Sequence, residues 1–215
     1  AVQGKFNTLN SLVTLAHDCR RPNLFRPQVF AALELFERGN FDPVSTEGAW
    51  AGEIGMVQML PEDILMNGID GDGDGKVSLK TSPPDALLSG ANMLRSLGWR
   101  ANEPWIQEVE LPKIFDWSLT GFGTTKSGIE WQKLGVRGSE HALDGPNLSA
   151  SIILPQGRFG PAFIVYPNFH VLFEWNKSFV YVTTAAYFAT LLEGANQYKN
   201  TSPENGLNAA EIKIL

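Results

Sequence analysis

The sequence predicts an α+β protein that is mostly helical and contains a small β-hairpin. Three observations support this fold class. Apolar residues recur at helical spacing through most of the first hundred residues, and helix-start and helix-stop residues separate these patterns. Two short β-branched segments, "SASIILP" and "PAFIVYP", flank the linker "QGRFG" later in the chain. The chain has 215 residues, 43% of them hydrophobic, which is enough for one large domain or for a domain with a small lobe.

The first half of the chain is predicted to be helical. "LNSLVTLA" carries one helical pattern, and "RPQVFAALELFERG" carries another that ends at Gly39. The apolar residues of the second pattern are Val29, Phe30, Leu33 and Phe36. Pro61 suits a helix start and Gly68 a helix stop. A further helix is predicted between a Ser82 cap and Gly98.

The second half mixes short strands and helices. "IQEVELP" is predicted as a short strand, and "SGIEWQKLG" as a helix whose Ser127 and Glu130 have capping-box spacing. The hairpin around "QGRFG" follows, and a last helix is predicted from Phe179 to Leu192. We expect Trp99 to pack in the core, because aromatic side chains at helix ends usually turn inward.

Composition and charge exclude several classes of protein. The 23 acidic and 17 basic residues give a formal net charge of −6, which argues against a nucleic-acid partner. Cys19 is the only cysteine, so neither an intramolecular disulfide nor a CxxC metal site can form. The three histidines, His17, His141 and His170, lack the spacing of metal ligands. No stretch approaches the length of a membrane span, and the first residues lack the features of a signal peptide.

The segment "DGDGDGKVSL" predicts an EF-hand-like calcium loop. Asp70, Asp72 and Asp74 occupy loop positions 1, 3 and 5, Gly75 the sixth, and the carbonyl of Lys76 the seventh. Position 12 is Thr81, where an EF-hand carries a bidentate Glu. Asp85 is the nearest downstream carboxylate and is expected to complete the site. A solvated Gly-Asp turn is the alternative interpretation.

Four motifs together resemble a known enzyme family. "GAWAGEIGMVQMLP" is dense in glycine and alanine, the acidic loop follows it, and "NMLRSLGW" and "WNKS" come later. In order and spacing they resemble the lytic murein transglycosylases of the membrane-bound B type, which are glycoside hydrolases with a lysozyme-like fold. Ala49, Met93 and Trp175 depart from the residues common in that family.

The resemblance implies a periplasmic enzyme that acts on peptidoglycan. It would cleave the β-1,4 bond between N-acetylmuramic acid and N-acetylglucosamine and form 1,6-anhydromuramic acid. It implies a structural calcium ion, a monomer, glycan strands as partner, and a lipid anchor in the outer membrane through a segment outside these residues. The substrate-binding residues implied are Trp50, Gln58, Trp175, Asn176 and Tyr181.

The catalytic acid of the family is a Glu in a Glu-Ser motif, which we expect ahead of Ala1. Within the chain, Glu53 is the only carboxylate inside the glycine-rich motif, and it is therefore the in-chain candidate for a proton donor. Residues 1–194 are predicted to be the catalytic domain, truncated at its N-terminus. Residues 195–215 are predicted to be a linker and the start of a peptidoglycan-binding module.

Two other functions remain open from the sequence. A non-catalytic peptidoglycan-binding fragment would keep the groove and lack the catalytic Glu. A calcium sensor is less consistent with the sequence, because sensors usually pair two EF-hands and expose a Met-rich groove, whereas this chain has one loop and four methionines.

Overall fold

A computed structural model describes residues 3–18 and 21–198 of the chain. The chain divides into two compact units, Ala1–Leu97 and Gly98–Leu215, called here the first and second unit. Cys19 and nearly all of the predicted linker and module at 195–215 lie outside the described residues. The predicted domain boundary at residue 194 therefore stays a prediction.

The first unit is helical apart from one pair of very short strands. Strand β1 (Phe6–Asn7) pairs antiparallel with β2 (Glu47–Gly48). The helices are α1 (Thr8–His17), α2 (Pro22–Glu37), α3 (Pro61–Asn67) and α4 (Pro83–Ser96).

The predicted ends of α3 and α4 are confirmed. Pro61 is the first residue of α3, and the N–H of Gly68 closes that helix on the carbonyl of Ile64. Ser82 caps α4, since its hydroxyl accepts the backbone N–H of Asp85. These two helices flank the acidic loop on either side in sequence, so the loop is held at both ends by regular structure.

Helix α2 forms as predicted, but most of the apolar residues that marked its pattern lie off the packed face, which includes Phe25. Phe30, Leu33 and Phe36 are exposed. The buried positions of α2 include Ala32 and Leu35. Small residues let a neighbouring helix approach closely, so a run of large apolar residues alone does not identify the packed face.

The second unit is built on a five-stranded antiparallel sheet with strand order β4-β6-β7-β3-β5. Its elements in chain order are β3 (Ile106–Glu110), β4 (Lys126–Ser127), α5 (Gly128–Lys133), β5 (Arg137–Gly138), β6 (Ser149–Ile153), β7 (Ala162–Val165), α6 (Pro167–Trp175) and α7 (Phe179–Leu192). The predicted hairpin is β6 and β7, and the predicted strand at 106–112 is β3 beside it. The sheet has five strands, whereas the sequence predicted three of them, the hairpin and one further short strand.

The core of the second unit lies against this sheet. Trp131, on the capped helix α5, is fully buried, and its indole N–H donates to the carbonyl of Ala150 at 2.9 Å. Trp99 is only partly buried and packs against Trp105 with ring centroids 5.7 Å apart.

Among the described residues no helix combines the length and the apolar character needed to cross a bilayer.

Candidate functional site

The glycine-rich segment 48–61 forms a tight loop in the first unit. The backbone N–H of Ile54 donates to the carbonyl of Met59 at 2.8 Å, and the N–H of Met59 donates back at 3.1 Å. Gln58 lies within this loop with a φ of 52°, which non-glycine residues rarely adopt. Its side-chain amide donates to the carbonyl of Gly55 at 2.8 Å and holds the strained turn. Backbone strain of this kind concentrates at functional sites, which supports a role for Gln58.

The glycines of the segment are required by close packing. Gly52 and Gly55 have φ values of +89° and +80°. A Cβ on Gly55 would lie 2.4 Å from the carbonyl oxygen of Leu79, and a Cβ on Gly52 would lie 2.4 Å from a methyl carbon of Leu12. The loop therefore fits against the rest of the first unit only with glycine at both positions.

Trp50 and Glu53 lie on the same segment in different environments. The Trp50 side chain is 64% exposed and presents a broad apolar ring to solvent. The Oε2 atom of Glu53 is buried and has no hydrogen-bond partner among the described residues. Thr8 Oγ1 is likewise buried without a partner, and it lies close to Gly48 at the start of the segment. Buried polar atoms without partners are uncommon and call for an explanation.

Three carboxylates of the acidic loop region converge. Oxygen atoms of Asp70, Asp72 and Asp85 all lie within 4.8 Å of one another. Asp85 is 1% exposed, while the other two are exposed. Among the described residues no Lys or Arg forms a salt bridge with these three. Oxygen ligands without a balancing positive side chain are the donor set that Ca²⁺ prefers, so these residues fit a calcium ion.

Asp85 is anchored as an ionised group. Burial by itself would raise the pKa of this carboxyl, but the N–H groups of Ser78 and Gly71 donate to it at 2.7 and 2.9 Å and hold its pKa below the usual value. A buried carboxylate that stays charged adds negative potential on the buried side of the loop. This arrangement supports the prediction that Asp85 takes the place of the missing Glu.

One predicted side-chain ligand, Asp74, is not part of the converging group. The carboxylate of Asp74 accepts the backbone N–H of Lys76 at 2.9 Å and lies outside the three-carboxylate group. Asp70 accepts the N–H groups of Gly73 and Gly75 at 2.6 and 2.8 Å, which folds the loop around its own carboxylate. The structure thus brings together three of the four predicted side-chain ligands.

The predicted binding residues of the second unit lie at the junction of α6 and α7. Trp175 is the last residue of α6, and it is partly buried. The Asn176 side chain accepts the N–H of Ser178 at 2.9 Å, and Ser178 caps α7. Tyr181 lies in the first turn of α7 and is 56% exposed. Asn176 therefore has a structural role at a helix start, whereas the Tyr181 ring is free to meet a ligand.

Sequence reasoning missed two residues at these sites. Ser82 was predicted only as a helix cap, but its hydroxyl also donates to Asp72 Oδ2 at 2.6 Å. Thr8 was not singled out, and its hydroxyl is fully buried beside the glycine-rich segment. The contact of Ser82 with the acidic loop could have been predicted, because a residue that caps α4 lies directly after that loop in the sequence. No local signal identified Thr8.

Comparison with known proteins assigns the family. Residues 1–190 match the family described as Transglycosylase SLT domain. The chain belongs to this family.

The relatives that the chain resembles are lytic transglycosylases. The chain is 36% identical to SltB3 from Pseudomonas aeruginosa. The crystal structure of SltB3 in complex with NAG-NAM-pentapeptide aligns with 96% of the present chain and 56% of the SltB3 chain, with a TM-score of 0.87. The structure of Escherichia coli lytic transglycosylase Slt35 in complex with calcium is 25% identical in sequence and aligns with 88% of the present chain and 62% of the Slt35 chain, with a TM-score of 0.71. Membrane-bound lytic murein transglycosylase B of Escherichia coli strain K12 is 32% identical over 99 residues, which are 46% of this chain and 27% of the relative.

The chain spans a little over half the length of the SltB3 chain and about a quarter of the Escherichia coli protein. The matches confirm the resemblance and the lysozyme-like transglycosylase fold that it implied. The activity of the whole protein is taken up as a proposal below.

Proposed function

We propose that this chain is the glycan-binding and catalytic scaffold of a peptidoglycan lytic transglycosylase in the periplasm. The observation that carries the proposal is the family match across residues 1–190, together with the SltB3 complex, which contains a NAG-NAM-pentapeptide. The enzyme would cleave the β-1,4 bond between N-acetylmuramic acid and N-acetylglucosamine. Its product would carry a 1,6-anhydromuramic acid end.

The reaction requires one proton donor that later accepts a proton. A carboxylic acid protonates the oxygen of the leaving N-acetylglucosamine while positive charge develops on the muramyl ring. The resulting carboxylate then removes the proton of the muramyl 6-hydroxyl, whose oxygen bonds to the anomeric carbon. The acid is regenerated, and no water is consumed. We propose that this acid is the Glu of a Glu-Ser motif, a pair that does not occur in residues 1–215.

We propose Trp50 and Gln58 as sugar-contacting residues on the first unit. The exposed Trp50 ring offers an apolar face on which a pyranose ring can stack. The strained backbone of Gln58 fixes where its partly buried amide lies, and a few precisely placed polar groups orient a bound ligand. On the second unit, Tyr181 and Trp175 are proposed aromatic contacts. We also propose that the side-chain nitrogen of Asn176 donates a hydrogen bond to the sugar. Its side-chain oxygen already accepts the backbone N–H of Ser178.

We also propose that Asp70, Asp72 and Asp85 hold a structural calcium ion. Their oxygens converge, and Ser82 and the backbone of the loop orient them. The calcium complex of Slt35 supports the choice of metal for this family. Asp74 and the Lys76 carbonyl remain predicted ligands from their loop positions. When bound, the ion would hold the loop between α3 and α4 in place, and its two positive charges would offset most of the repulsion among three carboxylates.

A non-catalytic role in peptidoglycan binding is the second candidate. It is favoured by the absence of a Glu-Ser pair in residues 1–215 and would use the same sugar contacts. The Transglycosylase SLT domain family and the calcium-binding relative do not separate these two functions, because both need the same scaffold. An activity measurement does.

Digestion of purified peptidoglycan tests the proposed chemistry. We expect the 215-residue chain to release little 1,6-anhydromuropeptide, and a version extended by the expected Glu-Ser motif to release it readily. Loss of a general acid commonly lowers the rate by about a hundred- to ten-thousandfold, and here one group performs both proton transfers. Mass spectrometry of the soluble products measures the difference.

Glu53 is the rival acid in this experiment. Its buried Oε2 lacks a partner, so Glu53→Gln is the informative variant. We expect this variant to leave the activity of the extended chain largely unchanged. Abundant anhydro product from the 215-residue chain that disappears in Glu53→Gln would instead place the catalytic acid at Glu53 and refute the proposed location.

A further inference from the structure

The second unit contains a cavity that the proposed sugar contacts do not use. It has a volume of about 280 Å³, just below the range of about 300–1,000 Å³ for ligand pockets, and therefore suits one group of side-chain size. Its described lining comes from β3 and the residues just before it, from Phe163 on β7, from the loop after β5, and from the end of α7 with the residues after it. None of Trp175, Asn176 and Tyr181 lines it.

One wall of the cavity is aromatic and fixed in place. Trp105 donates its indole N–H to the carbonyl of Ala186 at 3.0 Å, which sets the orientation of its ring. Phe163 and Tyr187 lie next to each other with ring centroids 5.9 Å apart. The Tyr187 hydroxyl accepts the N–H of Tyr198 at 2.7 Å. Tyr198 packs against both rings, with centroid distances of 6.4 Å to Phe163 and 5.2 Å to Tyr187, so this aromatic wall is in place before any ligand arrives.

A second part of the cavity wall is organised by a buried glutamine. Gln107 is 8% exposed, and its amide nitrogen donates to the carbonyl of Ala142 at 3.0 Å. Its amide oxygen accepts the N–H of Asp144 at 3.0 Å and the hydroxyl of Tyr166 at 3.2 Å. Burial raises the pKa of Tyr166 to about 12, so this hydroxyl stays protonated and remains a donor. The loop that carries His141 and Asp144 is thus held in one position.

The carboxylates of the cavity outnumber its one imidazole. Glu108, Glu140, Asp144 and Glu193 line it together with His141, and no Lys or Arg does so among the described residues. Nδ1 of His141 lies 3.4 Å from Oδ1 of Asp144 and pairs with it when the imidazole is protonated, while Glu140 accepts the side-chain amide of Asn196 at 2.8 Å. No three of these acidic groups and His141 converge closely enough to hold a metal ion within the described chain. The electrostatic preference is therefore for an organic cation.

We propose that this cavity binds a primary ammonium group on an aliphatic arm, such as a lysine side chain. The arm would lie along the aromatic wall, and the ammonium would meet the carboxylates of Asp144 and Glu193 across it. Cations also interact favourably with the faces of Trp and Tyr rings, which adds to the preference for a positive head group. The inference does not depend on the proposed function, and its failure would leave that proposal intact.

Two small probes test the inference on the full 215-residue chain. Nα-acetyl-lysine methylamide carries the free amine, and its Nε-acetylated form has a similar arm without the charge. In a ¹H–¹⁵N NMR titration, we expect the free amine to shift the indole N–H of Trp105 and the side-chain amide of Gln107. The acetylated probe should bind at least fivefold more weakly. Equal binding of the two probes, or no shift at these groups, would overturn the inference.

Charge-neutral variants locate the binding carboxylates. Asp144→Asn and Glu193→Gln should each weaken binding of the free amine by about fivefold. Glu174→Gln is the matched control, because Glu174 is exposed on α6 and lies outside the cavity lining. Unchanged affinity in both cavity variants would contradict the assignment. An equal loss in Glu174→Gln would show that the net charge, and not the cavity, attracts the amine.

Discussion

Adding calcium to the metal-free protein is expected to raise the free energy of unfolding by about 2.7 kcal/mol when the ion is present at a hundred times its dissociation constant. The reason is that Asp70, Asp72 and Asp85 form a binding group only when the chain is folded, so the ion binds the native state and not the unfolded chain. Chemical denaturation with calcium and with a chelator measures this difference.

Variants of the loop attribute the effect to the converging carboxylates. Asp72→Ala should abolish most of the calcium-dependent gain, since it removes one of the three converging groups. Glu37→Gln removes one negative charge from an exposed position on α2 and should leave the gain intact. Asp74→Ala tests whether Asp74 is also a calcium ligand. From the structure we expect this variant to lose only a small part of the calcium-dependent gain. A loss as large as that of Asp72→Ala would show that Asp74 binds the ion as its EF-hand position predicts. If the chelator leaves unfolding unchanged, the calcium proposal is wrong.

Replacing Gly55 with alanine is expected to destabilise the first unit by about 2–6 kcal/mol. A positive φ costs a non-glycine residue on the order of 1–3 kcal/mol, and forcing an extra carbon into a packed site costs a similar amount. Gly55 has a φ of +80°, and its new Cβ would lie 2.4 Å from the backbone oxygen of Leu79, which cannot rotate away. Urea unfolding measures the loss.

Gly39 provides the matched control for this substitution. It has a φ of +78°, but a Cβ there would meet nothing within 4 Å. Gly39→Ala therefore carries only the backbone cost, about 1–3 kcal/mol. If Gly55→Ala is no more destabilising than Gly39→Ala, close packing does not explain why the glycine-rich segment needs glycine at this position.

Local signals predicted the ends of the regular elements well. Ser127 and Glu130 form the capping box that their spacing indicated, and the Phe179–Leu192 helix was predicted with its observed bounds. Caps and glycine stops act within one helical turn, so they can be recognised without knowing the fold. The family resemblance likewise rested on short motifs whose order is visible in the sequence.

Long-range features could not be predicted in the same way. The packed face of α2 depends on which residues its neighbours bring close, and this favoured Ala32 and Leu35 over the larger Phe30. The five-stranded sheet includes two-residue strands such as β4 and β5, which are too short to leave a periodic pattern. Helix α6, at Pro167–Trp175, was not predicted from the sequence.

The candidate site was predicted only in part, because some of its residues are close in sequence and others come together only in the folded chain. The positions of Asp70 and Asp72 follow from loop spacing, and Asp85 was inferred as the nearest carboxylate downstream. The buried hydroxyl of Thr8 lies forty residues from Gly48 in sequence, so only the folded chain brings them together. The strained φ of Gln58 is also set by the closed loop around it, not by its own preference.

Binding of a chitooligosaccharide or muropeptide to the chain tests most directly whether segment 48–61 contacts glycan. We expect Trp50→Ala and Gln58→Ala each to weaken binding by about fivefold or more while both variants stay folded, since one removes an exposed ring and the other an oriented amide. Trp117→Ala, which removes a 41% exposed tryptophan from the second unit, should bind as the wild type does. Wild-type affinity in both Trp50→Ala and Gln58→Ala, measured by isothermal titration calorimetry, would contradict the account.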